Sequence, residues 1–368
     1  MKRILCGFIM NGKAGGVDRF MLNLRESLVS VPDVRVDFLT NDLDEELQEQ
    51  LSCMGSSLYE VPSLSHPIKQ YRAIRKILSN NNYDIVFLNF SAAINIFAPK
   101  AARKSNVPRI IIHSHNSAND ISNPLKRAVF GLLHKLGKRL LHQYATDCFA
   151  CSYKAGQWLF PSKILKSDKF QIIPNTVDTG IYQFSLEKRN SIRKDLGIES
   201  KYVIGHIGNF LHQKNHEFLI SLFGELHKKE PNALLMCIGD GPNMEHIVQL
   251  VHRMDLQDSV LFLGRQNSAD GFYNAMDVFV LPSLFEGMPI VAVEAQVNQL
   301  PCLLSNRISN EASLSDGCQF LSIGKTDAWV ESILSLRNNP RTALKMTVDE
   351  TKYDLEKQTS FLNNLVLS

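Results

Sequence analysis

The 368-residue chain lacks any run of the ~18 apolar residues that a membrane span requires. It also lacks a strong excess of either charge. Its 40 Lys and Arg against 37 Asp and Glu leave +3, which argues against a surface given over wholly to nucleic acid. The seven cysteines are odd in number and scattered, which excludes a disulfide framework and suggests reduced thiols in a cytoplasm. Short-period repeats and low-complexity tracts are missing too. With 44% hydrophobic and 21% charged residues, neither a disordered chain nor a fibre fits. At this length two domains are expected.

Several chemical signatures are likewise missing. Neither G-x-G-x-x-G nor G-x-x-x-x-G-K-[ST] is present, so dinucleotide and Walker readings lose support. Cys148 and Cys151 form a lone C-x-x-C without the second pair that a zinc site needs, and residues 147–151 read as a buried strand. No carboxylate pair of glycosidase type, and no Asp-x-Asp metal motif, stands out as a candidate. The N-terminus is basic then apolar, like a signal peptide. Its apolar run is short, however, and a glycine loop follows instead of a cleavage site, so it reads as a first strand.

What is present is an alternation of short apolar runs with longer helix-period segments, the pattern of βαβ units around parallel sheets. Strands are expected at 3–9, 34–39, 84–89, 109–113, 147–151 and 170–174, with helices at 18–29 and 123–145. Residues 175–200 are polar and read as a linker. A second set follows, with strands at 202–207, 233–238, 260–263, 278–281 and 302–304 and helices at 215–229, 242–253, 271–274 and 289–298. Phe218, Leu219, Leu222, Phe223 and Leu226 form an amphipathic stripe suited to covering a sheet. The fold expected is α/β: two doubly wound Rossmann-like domains facing a central cleft, at 1–185 and 186–345. A helical tail at 346–368 is expected to pack back on the first domain. In such folds ligands bind at the C-terminal ends of the strands.

The near-neutral charge hides a local excess. Residues 100–170 carry thirteen Lys or Arg against Asp120, Asp147 and Asp168, a surplus of +10. Within them, residues 125–141 interleave Lys126, Arg127, Lys135, Lys138 and Arg139 with Val129, Phe130, Leu132, Leu133, Leu136, Leu140 and Leu141. Such a helix can lie on an anionic membrane surface, or pack on a core and leave a solvated basic face.

Two loops point to chemistry. Asn11-Gly-Lys-Ala-Gly-Gly16 joins a strand to a helix, where glycines let the backbone approach a phosphate beside a helix N-terminus. A simple tight turn is the alternative. The stronger signal is Pro282-Ser-Leu-Phe-Glu-Gly-Met-Pro-Ile-Val-Ala-Val-Glu-Ala295. Here Glu286 and Gly287 sit in a loop, Pro289 stands at a helix's first position, and Glu294 lies one turn inside it. The N–H groups around Ile290 and Val291 can hold a diphosphate. Glu294 is either a solvated helix residue or, among Val291, Ala292, Val293 and Ala295, a buried carboxylate in need of partners.

The spacing from Glu286 to Glu294 resembles the signature of retaining glycosyltransferases of family four, which have the GT-B fold. Gly15-Gly16, His113-Ser-His-Asn116, Ile173-Pro-Asn-Thr-Val-Asp178, Gly239-Asp-Gly-Pro242 and Phe262-Leu-Gly-Arg265 agree in order, and the details are most similar to bacterial capsule and exopolysaccharide enzymes. The resemblance implies that Glu286, with the backbone of Gly287, Met288 and Pro289, binds donor-sugar hydroxyls, while Glu294 holds the ribose. Lys214 would contact the diphosphate and Gly16 approach it, Arg265 would line the base pocket, and His115, in preference to His113, would sit near the reacting sugar. A histidine satisfied at a strand end is the other reading of either.

The resemblance further implies a nucleotide-sugar donor, UDP-linked by expectation, and a glycan or lipid-linked acceptor. Configuration would be retained, with no metal or other cofactor and no nucleic-acid partner. The setting would be the cytoplasm, with peripheral contact at the inner membrane face through 125–141. Asn209 departs from the family, which has an Arg beside the diphosphate; an amide supplies neither the charge nor the bidentate fork. Thr176 replaces a Gly, a milder change. Asn209 therefore keeps open a weakly active, donor-binding partner of another transferase. A sugar-nucleotide epimerase is a further alternative.

Overall fold

The computed structural model describes the chain except residues 11–14, 30, 122, 267, 338–340, 342–343, 347–352 and 368. It divides into two units, Met1–Thr176 with Leu355–Ser368, and Val177–Asp354. Residues 177–185, assigned to the first domain from sequence, thus lie in the second unit, as do the described residues of 346–354.

The first unit is a seven-stranded sheet, all parallel, in the order β3-β2-β1-β4-β5-β6-β7. Its strands are β1 (Lys2–Gly7), β2 (Val34–Thr40), β3 (Leu58–Glu60), β4 (Ile85–Phe90), β5 (Arg109–Ser114), β6 (Asp147–Ala150) and β7 (Phe170–Ile172). β4 is buried along its whole length, which requires a strand apolar but for Asn89 and covered on both faces. β3 escaped the sequence reading because Leu58-Tyr-Glu60 is too short to show a period. Cys148 and Cys151 are buried at β6, as a strand interior demands.

Helices α1 (Gly15–Val29), α2 (Glu45–Cys53), α3 (Pro67–Asn80), α4 (Phe97–Lys104), α5 (Pro124–Tyr144), α6 (Tyr153–Leu159) and α7 (Ser162–Leu165) connect these strands. Asp42-Leu43-Asp44 has the Asp-x-Asp spacing, but Asp44 caps α2 by accepting the Leu47 N–H at 2.8 Å.

α5 is capped by Asn123, whose Oδ1 accepts the Lys126 N–H at 3.0 Å, and Pro124 supplies its first turn. It rests on the unit through His134, Gly137, Leu141 and His142. A Cβ at Gly137 would fall 1.6 Å from the Ala93 carbonyl oxygen, so backbone packs on backbone. The face carrying Leu125, Val129, Leu132, Leu133, Leu136 and Leu140 is exposed instead. A core-packed helix with only its basic face solvated is therefore not what forms.

The second unit holds a six-stranded parallel sheet in the order β10-β9-β8-β11-β12-β13. These are β8 (Tyr202–Ile207), β9 (Ala233–Ile238), β10 (Val260–Phe262), β11 (Val278–Leu281), β12 (Cys302–Ser305) and β13 (Cys318–Leu321). Its helices are α8 (Leu186–Asp195), α9 (His216–Lys229), α10 (Met244–Arg253), α11 (Asp270–Ala275), α12 (Ile290–Val297) and α13 (Asp327–Leu336). The stripe of α9 packs as its spacing requires, with Leu219, Leu222, Phe223 and Leu226 buried and Phe218 against the same core.

α8 corrects the linker reading. Ser185 caps it, and its few apolar residues mislead because long cations anchor it. Arg189 and Arg193 both pair with Asp277 and donate to the carbonyls of Met276 and Ala275 respectively.

The chain ends in α14 (Leu355–Leu367), which lies in the first unit against α1. Gln358 donates to the Pro174 carbonyl at 2.8 Å and receives the Thr176 hydroxyl at 3.0 Å. Thr176 thus makes a buried bond that a glycine there cannot make. Among the described residues, no helix is long and apolar enough to cross a membrane.

Candidate functional site

In the second unit, the connection from β8 runs to β9 on one side and that from β11 to β12 on the other. The crevice at such a reversal, beyond the strand C-termini, is where doubly wound sheets take ligands. Two loops leave the sheet here, one after Ile207 and one after Leu281.

The first loop is shaped by close approach. A Cβ on Gly239 would lie 2.1 Å from the Gly208 carbonyl oxygen, and its φ of +142° is open only to glycine. The Lys214 stem passes over Gly208, within 3.1 Å of where a Cβ would be. Asn209 follows Gly208 in this loop, partly buried and uncharged.

The second loop is clamped to residues 213–215 one after another. The Gln213 carbonyl accepts the Leu284 N–H at 2.8 Å, and the Gln213 amide donates to the Phe285 carbonyl at 2.9 Å and Glu286 Oε2 at 3.0 Å. Lys214 Nζ lies 2.7 Å from Glu286 Oε1, to which Ser283 Oγ also donates at 3.0 Å. The Asn215 amide reaches the Pro282 carbonyl at 3.2 Å. Glu286 is 8% exposed, so its charge needs these donors to offset desolvation.

Gly287, Met288 and Pro289 are buried and lead into α12. Pro289 is the cap of that helix, one position before the expected first turn. Its carbonyl accepts the Ala292 N–H at 3.1 Å, which leaves the N–H groups of Ile290 and Val291 at the head of the helix. Glu294 is buried, and Tyr273 is the partner its burial calls for: the phenol donates to Oε2 at 2.7 Å. Burial, reinforced by Glu294, raises the Tyr273 phenol far above its ordinary value, so it remains a donor. Arg265 stands apart from this network, exposed in the loop after β10.

Tyr273, Gln213 and Ser283 had no signal in the sequence, since each acts only through a partner distant along the chain. His206 and His216 were missed as well. His206 donates from Nδ1 to the Val280 carbonyl at 2.9 Å, and His216 stacks on Phe210 at 4.0 Å. Burial holds both neutral, at about 4 and about 2 respectively.

The first unit has its own reversal, between β1 and β4. Residues 11–14 of the glycine loop lie outside the described residues. Met10 before them is tied to α1, its N–H reaching Asp18 Oδ1 at 3.1 Å, while Gly15 and Gly16 open that helix. His113, next to last in β5, is buried among Phe20, Phe87 and His115. His115 follows, its Nε2 2.8 Å from Asn89 Oδ1 and its ring 5.1 Å from that of Phe20. Burial lowers the basicity of both, His115 to about 3. These two histidines, Gly15 and Gly16 belong to one unit, and Lys214, Glu286 and Glu294 to the other.

The arrangement in the second unit can bind a polyol through two carboxylates and an anion through a cation and a helix N-terminus. Residues 14–180 match the model described as Glycosyltransferase Family 4, and residues 188–352 match Glycosyl transferases group 1. The chain is 29% identical to EpsF of Bacillus subtilis, over 99% of this chain and 96% of that protein. It is 27% identical to the UDP-Gal:alpha-D-GlcNAc-diphosphoundecaprenol alpha-1,3-galactosyltransferase of Escherichia coli, over 75% and 72%. Among solved structures, HepE of Anabaena in complex with UDP-glucose superposes with a TM-score of 0.74 at 17% identity, over 100% of this chain and 98% of that one. With two parallel-sheet units of the GT-B type, the chain belongs to the family 4 glycosyltransferases, a family 4 domain preceding a group 1 domain.

Proposed function

We propose that this protein transfers a sugar from a UDP-linked donor, with retention of anomeric configuration, to a glycan or lipid-linked acceptor of a cell-surface polysaccharide. The observation that carries the reading is the bracketing of the α12 N-terminus by two buried carboxylates, Glu286 and Glu294, with Lys214 alongside. In this reading Glu286 and the backbone of residues 287–289 hold donor-sugar hydroxyls, and Glu294 holds the ribose. Lys214 and the N–H groups of Ile290 and Val291 meet the charge that grows on the departing diphosphate. Those groups supply positive charge without a resident metal. Arg265 flanks the base, while Gly15, Gly16 and His115 serve from the first unit. UDP as carrier is supported by the names of the Escherichia coli relative and the HepE complex, and a lipid-linked acceptor by the former.

We further propose that the protein works at the inner face of the cell membrane, held by α5. The exposed Leu125, Val129, Leu132, Leu133, Leu136 and Leu140 are flanked by Lys126, Arg127, Lys135 and Arg139, the composition of a helix that lies in an anionic interface.

The test is donor consumption across a panel of UDP-sugars, with and without polyprenyl-diphosphate-linked saccharides, and NMR assignment of the product anomer. UDP release that requires the acceptor, with a retained anomer, is expected. Asn209 favours one other reading, a donor-binding partner of another transferase; binding of UDP-sugar with no turnover on any acceptor would establish that instead.

A further inference from the structure

At the reversal point of the first sheet, Asn89 near the end of β4 bridges two groups of different elements. Its Nδ2 donates to the carbonyl oxygen of Gly7, the last residue of β1, at 3.3 Å, and its Oδ1 lies 2.8 Å from His115 Nε2. A carbonyl oxygen only accepts, so the Gly7 contact dictates which way the amide faces. Oδ1 is then the atom presented to the imidazole, and it too only accepts. Nε2 must carry the proton, and Nδ1 is left with its lone pair. Nδ1 is buried and has no hydrogen-bond partner among the described residues. A buried acceptor left unpaired is destabilising, and the loss is recovered when a ligand donor reaches it.

We propose that Asn89 is a positioning residue for transfer, holding His115 as a neutral acceptor for a sugar hydroxyl. The inference rests on the reading of His115 as a residue of the transfer site. The surroundings agree: the rings of Phe20 from α1 and His113 from β5 pack on His115, and His113 is the titratable group among them. Burial keeps His115 uncharged at neutral pH, so it accepts and does not act as an acid.

The experiment is the imidazole 15N spectrum of histidine-labelled protein, read together with steady-state transfer kinetics. Wild type is expected to show His115 protonated at Nε2 and unprotonated at Nδ1. Asn89→Leu is expected to lose that preference and to lower kcat/KM roughly tenfold or more, as loss of one oriented hydrogen bond would. Asn89→Asp, which keeps an acceptor against Nε2, is expected to restore the tautomer and part of the rate. UDP binding and thermal unfolding report whether each variant is folded. A wild-type His115 protonated at Nδ1 overturns the proposal whatever the variants do. If His115→Ala impairs transfer but Asn89→Leu does not, the positioning role is wrong and His115 remains a site residue. If neither impairs transfer, the reading of His115 itself has failed.

Discussion

Lys214 and Glu286 form an ion pair of 2.7 Å, both largely buried, between two loops that lie 72 residues apart in the chain. The cation proposed for the diphosphate is thus held by the carboxylate proposed for the sugar. Such a pair restrains two long side chains, which limits the entropy they lose on binding a donor.

Replacing either partner should therefore affect folding and chemistry together. Lys214→Ala leaves Glu286 with the Ser283 and Gln213 donors, and is expected to cost about 1.5–3 kcal/mol of stability. Transfer should fall by roughly 100-fold or more, because a charge that meets the leaving group is gone. Acceptor-dependent UDP release and a denaturant titration check the two effects. Transfer unchanged in both Lys214→Ala and Glu286→Ala would show the site assignment to be wrong.

Tyr273→Phe removes the phenol donor to Glu294, together with the longer contact of the same hydroxyl with the Val291 carbonyl at 3.2 Å. The expected result is a fivefold to twentyfold weaker UDP affinity, the equivalent of roughly 1–1.8 kcal/mol, with kcat less affected than KM. Calorimetric titration with UDP measures it, and undiminished affinity would remove Glu294 from ribose binding.

Asn209→Arg restores the charge that the family carries beside the diphosphate. It is expected to tighten UDP binding several-fold and to raise the transfer rate, since Asn209 sits in the loop after β8, next in sequence to Gly208, over which the Lys214 stem passes. Weaker binding would mean that the cation has no room in this loop.

Charge reversal at Lys135 and Arg139 is expected to weaken binding to anionic vesicles strongly at low salt and little at high salt. Lys138 should contribute less, because its ammonium already donates to the Gln157 carbonyl. Leu132→Ser with Leu136→Ser should weaken binding at every salt concentration, because these side chains are exposed and bury apolar area only against lipid. Vesicle co-sedimentation decides; binding unaltered by both sets would exclude α5 as the contact.

Stability should fall as the pH drops below neutrality. His115, His206 and His216 are held by burial at about 3, about 4 and about 2, below the ordinary 6.5, and His113 is lowered as well. The unfolded chain therefore binds more protons than the folded one between pH 6.5 and about 4. Each such histidine removes about 1.4 kcal/mol per pH unit well inside that window. Thermal unfolding from pH 7.5 to pH 5 tests this, and a Tm that stays level would show these histidines to be exposed.

Where the sequence and the structure part company, the reason is the range of the interaction involved. Eleven strands were legible because each sits in a short, largely apolar stretch of a βαβ alternation, and for the central strands burial on both faces of a parallel sheet writes itself into local composition. β3 and β13 were not, since neither Leu58-Tyr-Glu60 nor Cys318-Gln-Phe-Leu321 shows a complete apolar period. α8 was misread because its stability comes from Arg189 and Arg193 reaching Asp277, more than eighty residues away.

The sequence by itself determined the α/β class, the glutamate pair at 286 and 294, and the cationic, leucine-rich stretch at 125–141, for all of these are short-range patterns. Only the tertiary structure decided what each residue faces. It buried Glu294 against Tyr273, tied Lys214 to Glu286, turned the leucines of α5 outward, and set Asn89 between Gly7 and His115. Partners like these come from distant strands and loops, and a side chain's protonation, orientation and exposure follow from them rather than from its neighbours along the chain.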